Sequence, residues 1–198
     1  MNNSKTLTLN QFNIVGKKVN IDKTIIKDNF ELEEIVLKNF IIDDTFINIL
    51  NSAINLKNIW FINCNFSNSL ILKNVTYLRL HNCKNMKLNT INEELKYLDI
   101  SAGERIDIED IKCFGLTTLK LNNVEVINLS KIEKFEYLEN LYLQKIELNQ
   151  NINYCRLSRL KKADFNGSKV DDREKYVEVF KDRDIQVSFE NIDYKFDK

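Results

Sequence analysis

The feature of this sequence that most constrains its fold is a six-residue pattern that returns seven times. Each copy has apolar residues at its first, fourth and sixth positions, as in Leu32-Glu-Glu-Ile35-Val-Leu37. The copies begin at residues 32, 56, 75, 95, 116, 138 and 160, so neighbouring copies are 19 to 24 residues apart. A period of roughly 20 residues is typical of repeat architectures, in which each repeat forms one supersecondary unit. The sequence therefore predicts an array of similar units.

The pattern also indicates how each unit is built. Residues that alternate along a strand point to opposite faces, so the fourth and sixth positions share one face of a short strand. One such strand cannot bury its apolar face alone, and neighbouring units must stack to share a core. We therefore expect parallel strands about 4.8 Å apart that follow one another along the chain.

The repeats resemble those of the leucine-rich-repeat family over about residues 32–170. The return segments are similar to the short internalin-type or phosphatase-regulator-type repeats of about 22 residues, best seen in Val126-Ile-Asn-Leu129-Ser-Lys-Ile132-Glu-Lys-Phe135-Glu-Tyr-Leu138. The resemblance implies an α/β solenoid: a leucine-rich-repeat horseshoe with a parallel concave β-sheet, a convex side made mostly of 3₁₀ and other turns, and a helix-plus-strand C-terminal cap.

The chain departs from the family at the ninth position of the repeat, where asparagine or cysteine is usual. Only Cys64 and Cys83 keep that choice here, so we expect no asparagine ladder and a less regular turn. The ninth positions are Phe40, Cys64, Cys83, Gly103, Val124, Ile146 and Ser168. Cys64 and Cys83 should stack as reduced, buried thiols, and Cys113 and Cys155 should occupy core positions in return segments.

The remaining segments complete a single domain, 1–198. Residues 42–54 have apolar side chains at helical spacing after two aspartates, which predicts a capped helix and explains the longest spacing between repeats. Residues 1–31 read as an irregular N-terminal cap, with one strand near the start and a second alternating run around Val19 and Ile21. Residues 171–198 read as the C-terminal cap, with a helix through residue 182 and a strand over 185–189.

Composition and charge narrow the function classes. Lys plus Arg and Asp plus Glu both number 29, so nothing in the net charge favours a nucleic acid or an anionic membrane. No apolar run is long enough for a signal peptide or a membrane span, which favours a cytoplasmic protein unless a signal was removed. The only histidine has no nucleophile near it in sequence, the four glycines are isolated, and no cysteine pair has ligand spacing. We predict no enzyme activity, cofactor or metal.

The outward-facing strand positions carry the candidate site. The only Trp, the only His and several aromatic or charged residues are predicted to share one face of neighbouring strands, and Trp, Tyr and Arg are enriched at binding hot spots. The predicted partner-binding residues are Trp60, Ile62, Tyr77, Arg79, His81, Tyr97, Asp99, Lys120 and Tyr142. Two structural explanations stay open: the N-terminal cap covers Trp60, or the tyrosines only form a stabilising ladder.

The leading hypothesis is a non-enzymatic protein-interaction module that binds a partner protein through its concave sheet. One alternative is a small inhibitor, of the immunity or anti-defence type, that occludes a nuclease or a toxin. A second is single-stranded nucleic-acid binding by the aromatic and arginine patch, which zero net charge disfavours. A further basic patch, formed by Arg156, Arg159, Lys161, Lys162 and Lys169, is predicted to be solvated rather than anion-binding.

Overall fold

The computed structural model describes residues 5–10, 32–88, 93–148, 152–170, 173–190 and 192–194. Within these ranges the main element is a 10-stranded sheet, accompanied by two two-stranded ribbons. The strands are β1 (Lys5–Asn10), β2 (Leu32–Lys38), β3 (Ile41–Ile42), β4 (Asn58–Ile62), β5 (Asn65–Phe66), β6 (Tyr77–His81), β7 (Tyr97–Ser101), β8 (Ile106–Asp107), β9 (Thr118–Asn122), β10 (Val126–Ile127), β11 (Asn140–Gln144), β12 (Lys162–Asp164), β13 (Gln186–Phe189) and β14 (Ile192–Tyr194).

The main sheet is open and mostly parallel, and its strand order follows the chain. The order is β1-β2-β4-β6-β7-β9-β11-β12-β13-β14, with only β13 and β14 antiparallel. The two ribbons pair β3 with β5 and β8 with β10. An open parallel sheet with few helices is thus confirmed, and the second predicted N-terminal run, around Val19 and Ile21, lies outside the described residues.

Each of the seven repeats contributes one strand at the predicted place. In the five repeats from β4 to β11 the strand covers the third to seventh positions, and pairing aligns equivalent positions, as in Ile59 with Leu78 and Leu98 with Leu119. The fourth and sixth positions of all seven repeats are at most 1% exposed. The period-two alternation of the sequence therefore places one apolar row of every strand in a shared core.

The predicted helix after the first repeat is present as α1 (Asp44–Ser52). Asp43 begins it, since its carboxylate accepts a hydrogen bond from the amide of Phe46 at 2.8 Å, and Ile47 and Leu50 are buried. Three later return segments contain short 3₁₀ turns, at Ile108–Asp110, Leu129–Lys134 and Tyr154–Arg156. In the described ranges, no helix is both long and apolar enough to cross a membrane.

The chain turns in the same way after every repeat strand, at the eighth position of the repeat. All seven of these residues have left-handed backbone, with φ between 50° and 72°. They are Asn39, Asn63, Asn82, Ala102, Asn123, Lys145 and Gly167. Asparagine and glycine tolerate this conformation better than other residues, which explains why five of the seven positions carry them.

An asparagine ladder does form, so the expectation of none is wrong. The amide nitrogen of Asn63 donates to Oδ1 of Asn39 at 3.2 Å, and that of Asn82 donates to Oδ1 of Asn63 at 2.8 Å. The expectation failed because it considered the ninth position, whereas the ladder lies at the eighth. These bonds connect three neighbouring repeats along the edge where the strands end.

The ninth position has a separate role in the turn. The thiol of Cys64 donates to the carbonyl of Leu37 at 3.4 Å, and the thiol of Cys83 donates to the carbonyl of Phe61 at 3.5 Å. Both carbonyls belong to the sixth position of the preceding repeat. Cys64 and Cys83 are free and buried, as the sequence predicts for reduced thiols. They act as weak buried donors that satisfy backbone groups.

The remaining two cysteines differ from each other. Cys113 is buried, as predicted, and burial raises the pKa of its thiol to about 12. Cys155 is exposed, so its predicted core position is wrong. The neighbouring Tyr154, which is 5% exposed, takes the core position instead. The 3₁₀ turn at this point places the preceding residue inward.

Ala102 interrupts the row of asparagines at the eighth position, between Asn82 and Asn123. Replacing Ala102 with asparagine is expected to raise the free energy of unfolding by about 1–2 kcal/mol, because asparagine tolerates left-handed backbone and adds ladder hydrogen bonds to both neighbours. Urea unfolding followed by circular dichroism measures this. Ala102→Gly is the matched control, since it relieves only the backbone strain; equal gains in the two variants would mean that the ladder contributes nothing.

The C-terminal part follows the predicted order of helix and then strand. The helix is α2 (Arg173–Lys181), and β13 follows it and pairs with β12 on one side and β14 on the other. Phe180 is fully buried, and its ring centroid lies 4.9 Å from that of Tyr154 and 5.9 Å from that of Phe165. Aromatic contacts of this kind close the apolar core at this end of the sheet.

Candidate binding surface

The candidate residues lie on the open face, the face of the 10-stranded sheet that carries the third, fifth and seventh positions of the repeats. Strand pairing aligns the fifth positions of successive repeats into one row. In that row Trp60 pairs with Arg79, Arg79 with Asp99, and Asp99 with Lys120. Neighbouring strands are about 4.8 Å apart, so side chains that are 20 residues apart in sequence come into contact.

Three aromatic rings surround the side chain of Arg79. Its guanidinium carbon lies 4.4 Å from the ring centroid of Trp60, 5.1 Å from that of Tyr77 and 5.7 Å from that of Tyr97. The rings of Tyr77 and Tyr97 stack on each other, with centroids 4.0 Å apart and planes inclined by 8°. Cations are attracted to aromatic faces within about 6 Å, so these contacts hold the guanidinium in place.

Asp99 lies beside Arg79 and contacts two cations. Its Oδ2 is 3.5 Å from Nε of Arg79 and 3.9 Å from Nζ of Lys120, and it accepts a hydrogen bond from the Tyr97 hydroxyl at 3.5 Å. Asp99 is only 7% exposed although it occupies an outward position. We call Trp60, Tyr77, Arg79, Tyr97 and Asp99 the Arg79 cluster.

Burial dominates the electrostatics of Asp99. Desolvation raises the pKa of its carboxyl above the usual value, and the opposing effects of Lys120 and Arg79 do not fully offset this rise. A carboxyl group whose pKa is raised by folding makes the charged native state less stable. Asp99 therefore orients Arg79 and Lys120 at some expense of stability, which is typical of residues that serve a site.

Several polar atoms of the cluster are buried without a hydrogen-bond partner among the described residues. They are Nε1 of Trp60, Nε of Arg79 and Oδ1 of Asp99. The Arg79–Asp99 contact is an ion pair without hydrogen-bond geometry at Nε. An unpaired buried polar atom destabilises a fold by about 1–3 kcal/mol, so the cluster keeps its geometry at a cost in stability.

The other predicted residues lie on the same face but outside the Arg79 cluster. Ile62 is half-buried and His81 is exposed on the adjacent strand, with Nδ1 of His81 3.0 Å from the hydroxyl of Ser101. Tyr142 is next to Lys120 in the fifth-position row, and its ring contacts the ammonium of Lys162 at 5.4 Å. All nine predicted residues therefore lie on one face of the sheet. Five of them form the Arg79 cluster.

Sequence reasoning missed a second buried carboxylate on this face. Asp164 is 8% exposed, and its Oδ2 accepts a hydrogen bond from the amide of Gln144 at 2.7 Å. It occupies the same repeat position as Asp99, and that repetition was the available signal. Asp164 and the partly exposed Lys162 reproduce, at the far end of the face, the arrangement of a covered acid beside an accessible cation.

Trp60 lies near the N-terminal end of the sheet, on the side where the predicted cap begins. Trp60 is half-buried, and its row neighbour Val36, on β2, is 8% exposed. β1 pairs in parallel with β2 and extends the sheet on this side. Residues 11–31, the rest of the predicted cap, lie outside the described residues.

The second basic patch is largely neutralised by acidic neighbours. Lys161 pairs with Glu139 at 2.8 Å, Lys169 with Glu147 at 2.7 Å, and Arg156 with Glu133 at 3.6 Å. The guanidinium of Arg159 lies 4.6 Å above the ring of Tyr137. The contacts favour the predicted solvated surface over an anion site.

Comparisons with known proteins add no assignment to this geometry. No protein-family model matches the sequence, and a search of curated proteins found no match.

The raised pKa of Asp99 leads to a directional pH prediction. Between the ordinary aspartate pKa of about 3.9 and the higher folded value, the native state binds more protons than the unfolded state, so wild-type stability falls as pH rises. Asp99→Asn has no such titration, and its stability relative to wild type should increase with pH across this window. Urea unfolding from pH 3 to pH 7 measures the difference, at about half-unit steps.

Lys120→Met provides the second arm of this experiment. Lys120 lowers the pKa of Asp99, so its removal should extend the window to higher pH. A wild-type stability that instead rises relative to Asp99→Asn as pH increases would mean that the ion pairs outweigh desolvation.

Proposed function

We propose that this protein is a leucine-rich-repeat solenoid that binds a partner protein through the open face of its sheet, without enzymatic activity. The observation that carries the proposal is the Arg79 cluster, in which three aromatic rings and a buried carboxylate hold one guanidinium at the surface. Trp, Tyr and Arg are the residues that most often carry binding energy at protein interfaces. Here the arginine contacts all three aromatic residues.

The solenoid part of the proposal rests on the repetition of local structure. Equivalent positions pair from strand to strand, the eighth position of each repeat adopts the same left-handed turn, and strand order follows the chain. These features are those expected when each repeat contacts mainly its neighbours. In such a horseshoe the open face would be concave, which is where leucine-rich-repeat proteins usually hold their partners.

The preorganised geometry of the Arg79 cluster favours a binding role over a purely stabilising one. Asp99 is desolvated at some cost in stability, and unpaired polar atoms remain around it. A cluster that served only stability would gain from an apolar residue at this position. In a binding site the same arrangement fixes Arg79 and Lys120 before the partner arrives, which reduces the entropy lost on association.

Single-stranded nucleic-acid binding is the weaker reading. Tyr77 and Tyr97 stack on each other at 4.0 Å, so their facing surfaces are closed to a base. Asp99 also neutralises part of the charge of Arg79 and Lys120.

Inhibition of a nuclease is also disfavoured, because a face that blocks a nucleic-acid groove should be acidic, whereas the accessible charges here are basic. Inhibition of another kind of toxin fits the same surface as the main proposal.

Affinity capture tests the proposal when it is paired with matched variants. The wild-type protein and Trp60→Ala/Arg79→Ala are each used to capture proteins from a lysate of the source organism, after circular dichroism has shown equal folding. The control is Ile54→Ala/Ile71→Ala, which removes two exposed apolar side chains that lie outside the sheet. We expect a protein that is lost with the first variant and kept with the control. Identical captured sets for all three would place binding elsewhere.

A further inference from the structure

Between β6 and β12 the open face separates its acids from its bases by depth. From β6 to β12 the outward positions carry five charged residues: Arg79, Asp99, Lys120, Lys162 and Asp164. Both acids are buried, at 7% and 8% exposure, while all three cations remain partly exposed. The side chains of Arg79 and Lys120 are 34% and 31% exposed, against 10% for that of Asp99. An approaching partner therefore meets positive charge, although the protein as a whole is neutral.

Two positive charges lie beside the single negative charge of Asp99. One carboxylate contacts both Arg79 and Lys120, which leaves one positive charge without a counter-charge inside the Arg79 cluster and its immediate neighbours. Both cationic nitrogens lie near the same oxygen, at 3.5 Å and 3.9 Å. One incoming carboxylate, with two oxygens, can therefore accept hydrogen bonds from both side chains at once.

We propose that the segment of the partner protein recognised here is acidic, with a carboxylate side chain bound between Arg79 and Lys120 over the rim of the Tyr97 ring. This inference rests on the proposed function and names the chemistry of its partner. Lys162 lies two strands beyond Lys120 and two residues earlier in the repeat, about 12 Å away, and supplies a second cationic point. An extended chain rises about 3.3 Å per residue and alternates its side chains, so a second carboxylate four residues along faces the same side and reaches Lys162.

The complementary charge also explains why Asp99 stays buried. If the Asp99 carboxylate were exposed, it would compete with the partner's carboxylate for Arg79 and Lys120. Beneath these two cations it fixes their positions and leaves their outer surfaces free. Attraction between opposite charges further predicts that association slows as salt concentration rises.

The only tryptophan in the chain reports directly on this site, because Trp60 contacts Arg79. The full-length protein is titrated at low ionic strength with end-blocked hexaglutamate, with hexaglutamine and with a thymidine hexanucleotide, while tryptophan fluorescence is followed. We expect hexaglutamate to change the emission and to bind at least about tenfold more tightly than hexaglutamine, since only it supplies carboxylates.

Lys120→Met is the decisive variant, because Lys120 does not contact Trp60 and its loss leaves the reporter in place. We expect it to weaken hexaglutamate binding by about five- to tenfold. Lys131→Met is the control, an exposed lysine in the 3₁₀ turn Leu129–Lys134 and not on the open face, and it should have no effect. Circular dichroism and free-protein fluorescence verify that both variants fold.

Three outcomes would overturn the inference: equal binding of hexaglutamate and hexaglutamine, no effect of Lys120→Met, or tighter binding of the thymidine hexanucleotide than of hexaglutamate. The last would assign the face to a nucleic acid. If the capture experiment finds a partner that depends on Trp60 and Arg79 while hexaglutamate fails, only the acidic partner is excluded. If capture is unaffected by the Trp60/Arg79 variant, the proposed function fails as well.

Discussion

Replacing Phe135 with alanine is expected to lower the free energy of unfolding by about 3–5 kcal/mol. Phe135 is fully buried at the end of the 3₁₀ turn Leu129–Lys134. Its amide donates to the carbonyl of Ile132 at 3.0 Å, and its carbonyl accepts from the amide of Leu138 at 3.0 Å. Because the backbone is held on both sides, the chain cannot collapse into the space that the ring leaves. Urea unfolding followed by circular dichroism measures the loss.

Phe114→Ala is the matched control for this prediction. Phe114 lies in the preceding return segment, but it is 52% exposed. Removing an exposed ring should change stability by no more than about 0.5 kcal/mol. Similar losses for the two phenylalanines would contradict the assignment of Phe135 to the shared core.

The second large effect is expected at Arg183, which follows α2. Its guanidinium donates to the carbonyl of Tyr154 and, at 2.7 Å, to the carbonyl of Leu157. These carbonyls belong to residues that are 5% and 0% exposed, so Arg183 connects the C-terminal helix segment to the last complete repeat. Arg183→Ala is expected to cost about 2–3 kcal/mol, because two charge-assisted hydrogen bonds are lost, while the carbonyls of Tyr154 and Leu157 keep their backbone donors, Leu157 and Leu160.

Arg156→Ala is the control for Arg183. Arg156 lies in the 3₁₀ turn that also contains Tyr154. Its side chain is 70% exposed, and its ion pair with Glu133 spans 3.6 Å. Exposed pairs of this kind contribute about 0–1 kcal/mol. Hydrogen exchange should also show faster exchange of the β13 amides in Arg183→Ala. If Arg183→Ala is as stable as Arg156→Ala, the C-terminal segment does not depend on these bonds.

Most of the sheet was predictable because its signal is local and repeated. Apolar alternation placed the repeat strands, and the constant register between repeats correctly indicated which side chains share a face, including Trp60, Arg79 and Asp99. The helix α1 was predictable for a similar reason, since Asp43 caps it and Leu50 lies at helical spacing. A prediction that several positions support stays correct when one of those positions is misassigned.

The turns and the depth of charged groups were not predictable in the same way. Cys155 is exposed and Tyr154 takes its predicted core position, because one residue of rotation in a 3₁₀ turn changes the buried side. The burial of Asp99 depends on how the longer Arg79 and Lys120 side chains cover it, which sequence spacing does not encode. The structure was therefore needed to show that the acids on this part of the face are buried and the bases accessible.

Site-specific photocross-linking is the most direct test of the claim that the open face binds a partner protein. A benzoylphenylalanine is introduced in place of His81, which is exposed at the border of the Arg79 cluster, and separately in place of Ile71, which is exposed outside the sheet. We expect a protein that is cross-linked from position 81, absent from position 71, and lost when Trp60→Ala/Arg79→Ala is added. A partner cross-linked from position 71 and not from position 81 would contradict it.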